Sequence, residues 1–181
     1  MRYDQLLPLI DETKPKTIVE IGTHVGARAV MMCLQALKHN DQVRYIGYDL
    51  FDEANPDTDR IEMNGKGRAP MVTASKRLEE IAGKYPQFSY MLIKGNTRDT
   101  LHGNDVKEDF VFIDGGHSVE TIRGDYEAVK GSGVVVFDDY YTGVNTEKFG
   151  CNSIVADIPH RVLPAKDSFK GGTGVQMVVR E

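Results

Sequence analysis

The sequence is poor in the features that mark several common protein classes. It holds two cysteines, Cys33 in an apolar helical stretch and Cys151 in a loop-like one. Neither a disulfide framework nor a thiolate metal knuckle can be built from them, and a reducing compartment is expected. There is no run of Lys or Arg, and the formal charge is −5. Without a footprint for neutralising many phosphates, nucleic acid is not an expected partner. No apolar run approaches the roughly 20 residues that span a bilayer. Met1-Arg2-Tyr3-Asp4-Gln5 carries charge where a signal peptide has its apolar core. The expectation is a cytoplasmic chain with no membrane attachment.

What is present is ordinary globular composition. At 40% hydrophobic and 27% charged, the chain is too apolar to be disordered, and 181 residues suit one domain, 1–181, rather than two full cores. Leu6, Leu7 and Ile10 place a leading helix over 3–12, ended by Lys14-Pro15-Lys16. Five strand-like runs follow, at 17–21, 43–50, 88–93, 110–113 and 134–137. Helical stretches at 27–37, 70–84 and 119–129 alternate with them. The first two carry expected core faces, Val30, Met31, Cys33, Leu34 and Leu37 in one and Val72, Ala74, Leu78 and Ile81 in the other. Residues 52–69 and 140–153 read as polar loops, the first lacking helical periodicity. A short helix near 154–158 and two extended runs, 161–163 and 174–179, complete the chain. Alternation of this kind predicts an α/β fold, a doubly wound Rossmann-like sheet. It is mostly parallel, with about seven strands and a C-terminal antiparallel edge pair.

Ligands of such sheets sit beyond the carboxyl ends of the strands. Glu20 and Gly22, Asp49, Asn96, Asp114, and Asp138 with Asp139 lie at or near those ends. Gly22 and Gly26 open the turn after the first strand, where absent side chains let a ligand approach backbone N–H groups. The dinucleotide fingerprint needs a glycine two places after the first, and His24 stands there, which disfavours an NAD-dependent oxidoreductase. Asp49 is placed to accept hydrogen bonds from ribose hydroxyls. Glu20, an acid inside an apolar strand, needs a hydrogen-bonded carboxylate to be tolerated.

Val19-Glu20-Ile21-Gly22-Thr23-His24-Val25-Gly26 resembles the E/D-x-G-x-x-x-G loop of class I S-adenosylmethionine (SAM)-dependent methyltransferases. The resemblance implies cofactor contacts from Glu20, Gly22, Thr23, Gly26 and Asp114, a ribose-binding role for Asp49, and Asn96 and Thr97 near the adenine.

Neighbouring parallel strands end about 5 Å apart, so Asp114, Asp138 and Asp139 converge. Three close carboxylates repel, and neither of their turns carries a Lys or Arg. A hard cation, Mg²⁺ or another divalent ion, would relieve them. Asp114-Gly-Gly-His-Ser-Val-Glu120 followed by Phe137-Asp-Asp-Tyr140 resembles a subgroup of O-methyltransferases. It includes the macrocin-type sugar methyltransferases and relatives of a cephalosporin-biosynthesis methyltransferase. The resemblance covers 17 to about 140 and implies a divalent metal on these acids. A hydroxyl beside such a cation is more acidic, with Asp114 or His117 to take its proton. The acceptor is expected to be a small, sugar-like hydroxylated molecule. Walls for it are expected in 52–69 and 140–153, with contacts from Tyr140, Tyr141 and Asn152. A DNA amino-methyltransferase would need an Asn/Asp-Pro-Pro-Tyr/Phe turn where Asp114-Gly115-Gly116-His117 stands. A non-catalytic SAM- or nucleotide-binding module is the reading from a different class. Oligomeric state is left open, a homo-oligomer included.

Overall fold

The computed structural model describes residues 2–62, 67–163, 167–168 and 174–181. A 3-10 turn, Arg2–Gln5, leads into α1 (Leu6–Thr13), and β1 (Thr17–Ile21) follows. β1 is a short β-branched run buried on both faces, the mark of a central parallel strand. Next come α2 (Ala27–Ala36), β2 (Val43–Asp49), α3 (Pro56–Glu62), α4 (Met71–Lys84), β3 (Phe88–Lys94) and α5 (Thr97–Thr100). The chain continues with β4 (Phe110–Ile113), α6 (Val119–Val129), β5 (Val134–Thr142), α7 (Asn152–Val155), β6 (His160–Val162), β7 (Asp167–Ser168) and β8 (Gly174–Arg180).

The sheet runs β3-β2-β1-β4-β5-β8-β6, with β7 paired to β8 off that path. Strands β1 to β5 are parallel, and β8 enters antiparallel between β5 and β6. The strand order reverses between β1 and β4, where a doubly wound sheet opens its ligand crevice. Side-chain alternation splits the core in two. Ile18, Phe110 and Phe112 pack with α1, α2 and α4, whereas Val19, Ile21, Val111 and Ile113 pack with α6 and α7. Among the described residues, no helix is long and apolar enough to cross a membrane.

Four expectations change. α2 buries Ala29, Met32, Cys33 and Ala36. Leu34 is exposed, because the smaller stripe at i, i+3, i+4, i+7 lets the helix sit closer to the sheet. In α4, Ala74, Leu78 and Ile81 are buried as expected, while Val72 faces outward. The 52–69 stretch contains α3. Asn55 Oδ1 accepts from the amides of Asp57 and Thr58, each at 3.0 Å, and Pro56 holds the first helical position. Strand β5 continues through Thr142 because it resumes pairing with β8 after an irregularity between Phe137 and Tyr140.

Candidate functional site

A cavity of about 630 Å³ opens at the reversal point between β1 and β4. Gly22, His24 and Arg28 line it from the first loop and α2, Asp49 from β2, Asn96 and Thr97 from the β3–α5 turn, and Asp114 to His117 from the end of β4. Asn55, Asp57, Thr58, Ile61 and Glu62 of the α3 region complete the lining.

Gly22 makes this geometry possible. Its φ is +96°, and a Cβ there would lie 2.0 Å from the carbonyl oxygen of Asp114. Only a glycine lets the β1 turn pass the β4 turn this closely. Asp49 braces the loop, accepting from the amides of His24 (Oδ2, 2.7 Å) and Phe51 (Oδ1, 2.5 Å). Burial raises its carboxyl above the usual range, and those two N–H groups offset part of the effect.

Glu20, Thr23 and Gly26 stand behind the cavity wall. Glu20 is fully buried and accepts from Tyr45 Oη at 2.5 Å, while Tyr45 Oη lies 3.1 Å from Thr23 Oγ1. No donor among the described residues reaches Glu20 Oε1, and burial pushes the carboxyl up to about 8. Gly26 is the left-handed cap residue that starts α2. Asn96 caps α5, its Oδ1 accepting from the Arg98 amide at 3.0 Å.

The three acids of β4 and β5 do meet. One oxygen from each of Asp114, Asp138 and Asp139 lies within 4.8 Å of the others. Consecutive strand residues normally face opposite ways. Here the β5 irregularity and the left-handed φ of +60° at Asp139 bring both β5 acids to the same point. Asp is among the few non-glycine residues that adopt this conformation readily.

The repulsion is relieved by groups that lie outside the two turns. Arg2 Nη2 lies 3.0 Å from Asp138 Oδ2, and Arg28 Nε lies 3.5 Å from Asp114 Oδ2. Tyr3 Oη donates to Asp138 Oδ2 at 2.9 Å. Both guanidiniums lie over its ring, with centroid distances of 4.8 Å to Arg2 and 3.9 Å to Arg28. Tyr141 Oη donates to Asp139 Oδ1 at 2.9 Å, and His117 Nε2 is 2.9 Å from Asp139 Oδ2. Burial first, then Asp138 and Asp139, raise the Asp114 carboxyl well above its usual range, with Arg28 opposing. Asp138 is likewise raised by burial and Asp139, with Arg2 opposing.

These residues fit a divalent cation. Asp114 Oδ1 and Asp138 Oδ1 are buried and meet no hydrogen-bond donor among the described residues, in carboxylates that each bring one oxygen to within 4.8 Å of the others. Two bare carboxylate oxygens in one buried place are the donor set a hard cation takes.

His117 is locked by α3. Its Nδ1 contacts the Glu62 carbonyl oxygen, and its amide donates to the same oxygen at 3.1 Å. The Glu62 carboxylate accepts from Ser118 N (2.9 Å), Ser118 Oγ (2.8 Å) and Thr121 Oγ1 (3.0 Å). Glu62, Arg28, Arg2 and Tyr3 were not legible as site residues. Arg28 alone had a signal, its place in the first helical turn after the glycine loop. Tyr140, Tyr141 and Asn152 do not line the cavity. Asn152 instead holds the end of β5, bonding Tyr141 N at 2.9 Å and Tyr141 O at 2.8 Å.

The model of a family described as a methyltransferase domain matches residues 19–140, more than half of the chain. Curated protein sequences show no match. Among solved structures, the chain resembles the O-methyltransferase TomG from Streptomyces achromogenes, involved in tomaymycin synthesis and solved with SAM. That pair shares 16% identity over 98% of this chain and 78% of the other, with a TM-score of 0.61. An O-methyltransferase from Bacillus cereus in complex with SAH is 15% identical over 99% of this chain and 80% of that one, with a TM-score of 0.58. CalS11, a calicheamicin methyltransferase, is 18% identical over 96% and 76%, with a TM-score of 0.57. At such identities these structures show the fold, and the sequence match shows the family. The chain belongs to the methyltransferase-domain family, built on the fold of class I SAM-dependent methyltransferases.

Proposed function

We propose that this single-domain chain is a cytoplasmic SAM-dependent O-methyltransferase acting, with a divalent cation such as Mg²⁺, on a small hydroxylated, sugar-like acceptor. The observation that carries the reading is the meeting of Asp114, Asp138 and Asp139 beside a cavity whose wall carries Asp114 together with Gly22, Asp49, Asn96 and Thr97. The cavity volume suits a nucleoside-sized ligand. Its wall carries Asp49, Asp57, Glu62 and Asp114 against Arg28 and Arg98, an acidic surplus that suits a sulfonium. SAM supplies the electrophilic methyl group, and a cation on the three acids lowers the pKa of an acceptor hydroxyl.

The chain's own task is alignment and proton handling, since a displacement of this kind needs no covalent intermediate. Gly22 opens the space beside Asp114, Asp49 fixes the first loop and offers its carboxylate to ribose hydroxyls, and Asn96 and Thr97 border the adenine. Asp138 and Asp139 hold the cation with Asp114. Asp114 belongs to both the cavity wall and the acidic cluster, which puts its carboxylate beside the acceptor hydroxyl to take the proton. His117 lies between two acceptors, the Glu62 carbonyl and Asp139, and so holds Asp139 in place. Asp114, Asp138 and Asp139 would hold the cation, which would take oxygen ligands from a hydroxyl-rich acceptor.

The test is methyl transfer from labelled SAM to a panel of sugars and catechols, with and without Mg²⁺. Replacing both Asp138 and Asp139 by Ala should lower transfer at least about 100-fold, the scale of losing one electrostatic stabiliser. SAM affinity by calorimetry should stay near that of the parent. Loss of SAM binding in that variant overturns the division of roles.

A further inference from the structure

The acids that would hold the cation are roofed over. Asp138 and Asp139 are 2% and 7% exposed. The cavity wall includes Asp114 and His117 but neither of the β5 acids. Arg2 and Tyr3 form the cover: the Arg2 guanidinium and the Tyr3 hydroxyl both rest on Asp138 Oδ2. Arg2 and Arg28 together set two positive charges against three carboxylates. They offset two of the three carboxylate charges without any metal.

A divalent cation on the bare oxygens of Asp114 and Asp138 would stand within a few ångströms of the Arg2 guanidinium. Like charges at that separation and in that burial repel strongly. One cation has to yield, and the two arginines differ in how easily they can. Arg28 is carried by α2, whose Ala29, Met32 and Cys33 are in the core. Arg2 is carried by a 3-10 turn with no buried residue of its own.

Resting on the cation-site reading above, we propose that the Arg2–Tyr3 turn is a built-in counter-cation and cover for the acidic cluster. A divalent metal displaces it, and its displacement uncovers Asp138, whose Oδ2 the turn occupies. The turn then acts as a gate that selects for the metal-loaded enzyme.

The experiment uses the full chain and Mn²⁺, with free ion measured by electron paramagnetic resonance. Arg2→Gln should bind Mn²⁺ at least about tenfold more tightly than the parent, and Arg2→Lys should fall between them, with thermal melts showing that all three are folded. In the parent chain, Mg²⁺ should speed hydrogen exchange in the peptide covering residues 2–10. Equal Mn²⁺ affinity in all three proteins overturns the gate and leaves the cation site standing. Tighter binding without faster exchange overturns displacement, since the arginine would then act only through space. Absence of Mn²⁺ binding in every protein overturns the gate and the cation site together.

Discussion

The two halves of the site are assembled in opposite ways. The cofactor half is local: the glycine loop, Asp49 and Asn96 each close one βα unit and become neighbours because parallel strands end side by side. The acidic half is long-range. Tyr3 reaches Asp138 across a separation of 135 residues, and Glu62 reaches Ser118 across 56. A local motif carries its geometry with it, whereas a long-range cluster depends on the whole sheet being in register. The cofactor half should therefore tolerate loss of its companion, while the acidic half should be sensitive to changes almost anywhere around it.

The strongest way to break this contrast is Gly22→Ala, because Gly22 is where the halves touch. The new Cβ would strike the Asp114 carbonyl in a backbone region hostile to side chains. The expected outcome is a loss of at least about 3 kcal/mol of stability, the scale of backbone strain combined with steric overlap. Loss of both SAM and Mn²⁺ binding should accompany it, read by urea denaturation and calorimetry. A variant that keeps Mn²⁺ binding would show that the acidic half does not lean on the first loop.

Glu20→Gln probes the cofactor half alone. The parent carboxyl titrates near 8 in the folded chain against an ordinary 4.5. Between those values the folded state keeps a proton that the unfolded state releases. The stability this confers is full below about pH 4.5 and is lost as pH rises to about 8. Gln cannot lose a proton and can still accept from Tyr45. Its stability advantage should therefore grow across that window and level off above it, reaching on the order of a few kcal/mol. Denaturation midpoints at pH 5, 6.5 and 8 test this, and a pH-independent difference would count against a protonated Glu20.

The same contrast explains how much of the molecule was legible in the sequence. Alternating strands and helices place Glu20, Asp49, Asn96, Asp114, Asp138 and Asp139 at strand ends, and that needs only period and order. Within α2 the period was visible but its phase was not. Hydrophobicity favoured Val30 and Leu34, while close packing on the sheet chose Ala29 and Ala36. The helix over 56–62 was announced by Asn55-Pro56, a cap and a first-turn proline, and was hidden by the polar run from Asp57 to Arg60. The backbone irregularity that turns Asp138 and Asp139 to one side leaves no pattern in a run of apolar residues ending in two acids. The charges that balance the cluster were invisible for a different reason. Nothing at Arg2 or Tyr3 indicates which of the chain's acids will lie beneath them once the sheet closes.

The smallest expected effect is the most selective. Tyr3→Phe keeps the ring beneath Arg2 and Arg28, and its edge contact with Phe112 at 6.2 Å, but deletes the hydroxyl on Asp138. Removing one hydrogen bond to a charged acceptor costs about 1.5–3 kcal/mol when the acceptor is left bare. Here Arg2 still reaches the same oxygen, so about 1 kcal/mol and a melting point lower by roughly 2–4 °C are expected. SAM affinity should not move, since Tyr3 does not line the cavity. Mn²⁺ affinity should rise by a smaller factor than in Arg2→Gln, because the cover is loosened while its charge stays. An equal fall in SAM and Mn²⁺ affinity would mean that the halves are one cooperative unit, and the division between a local and a long-range site would have to be given up.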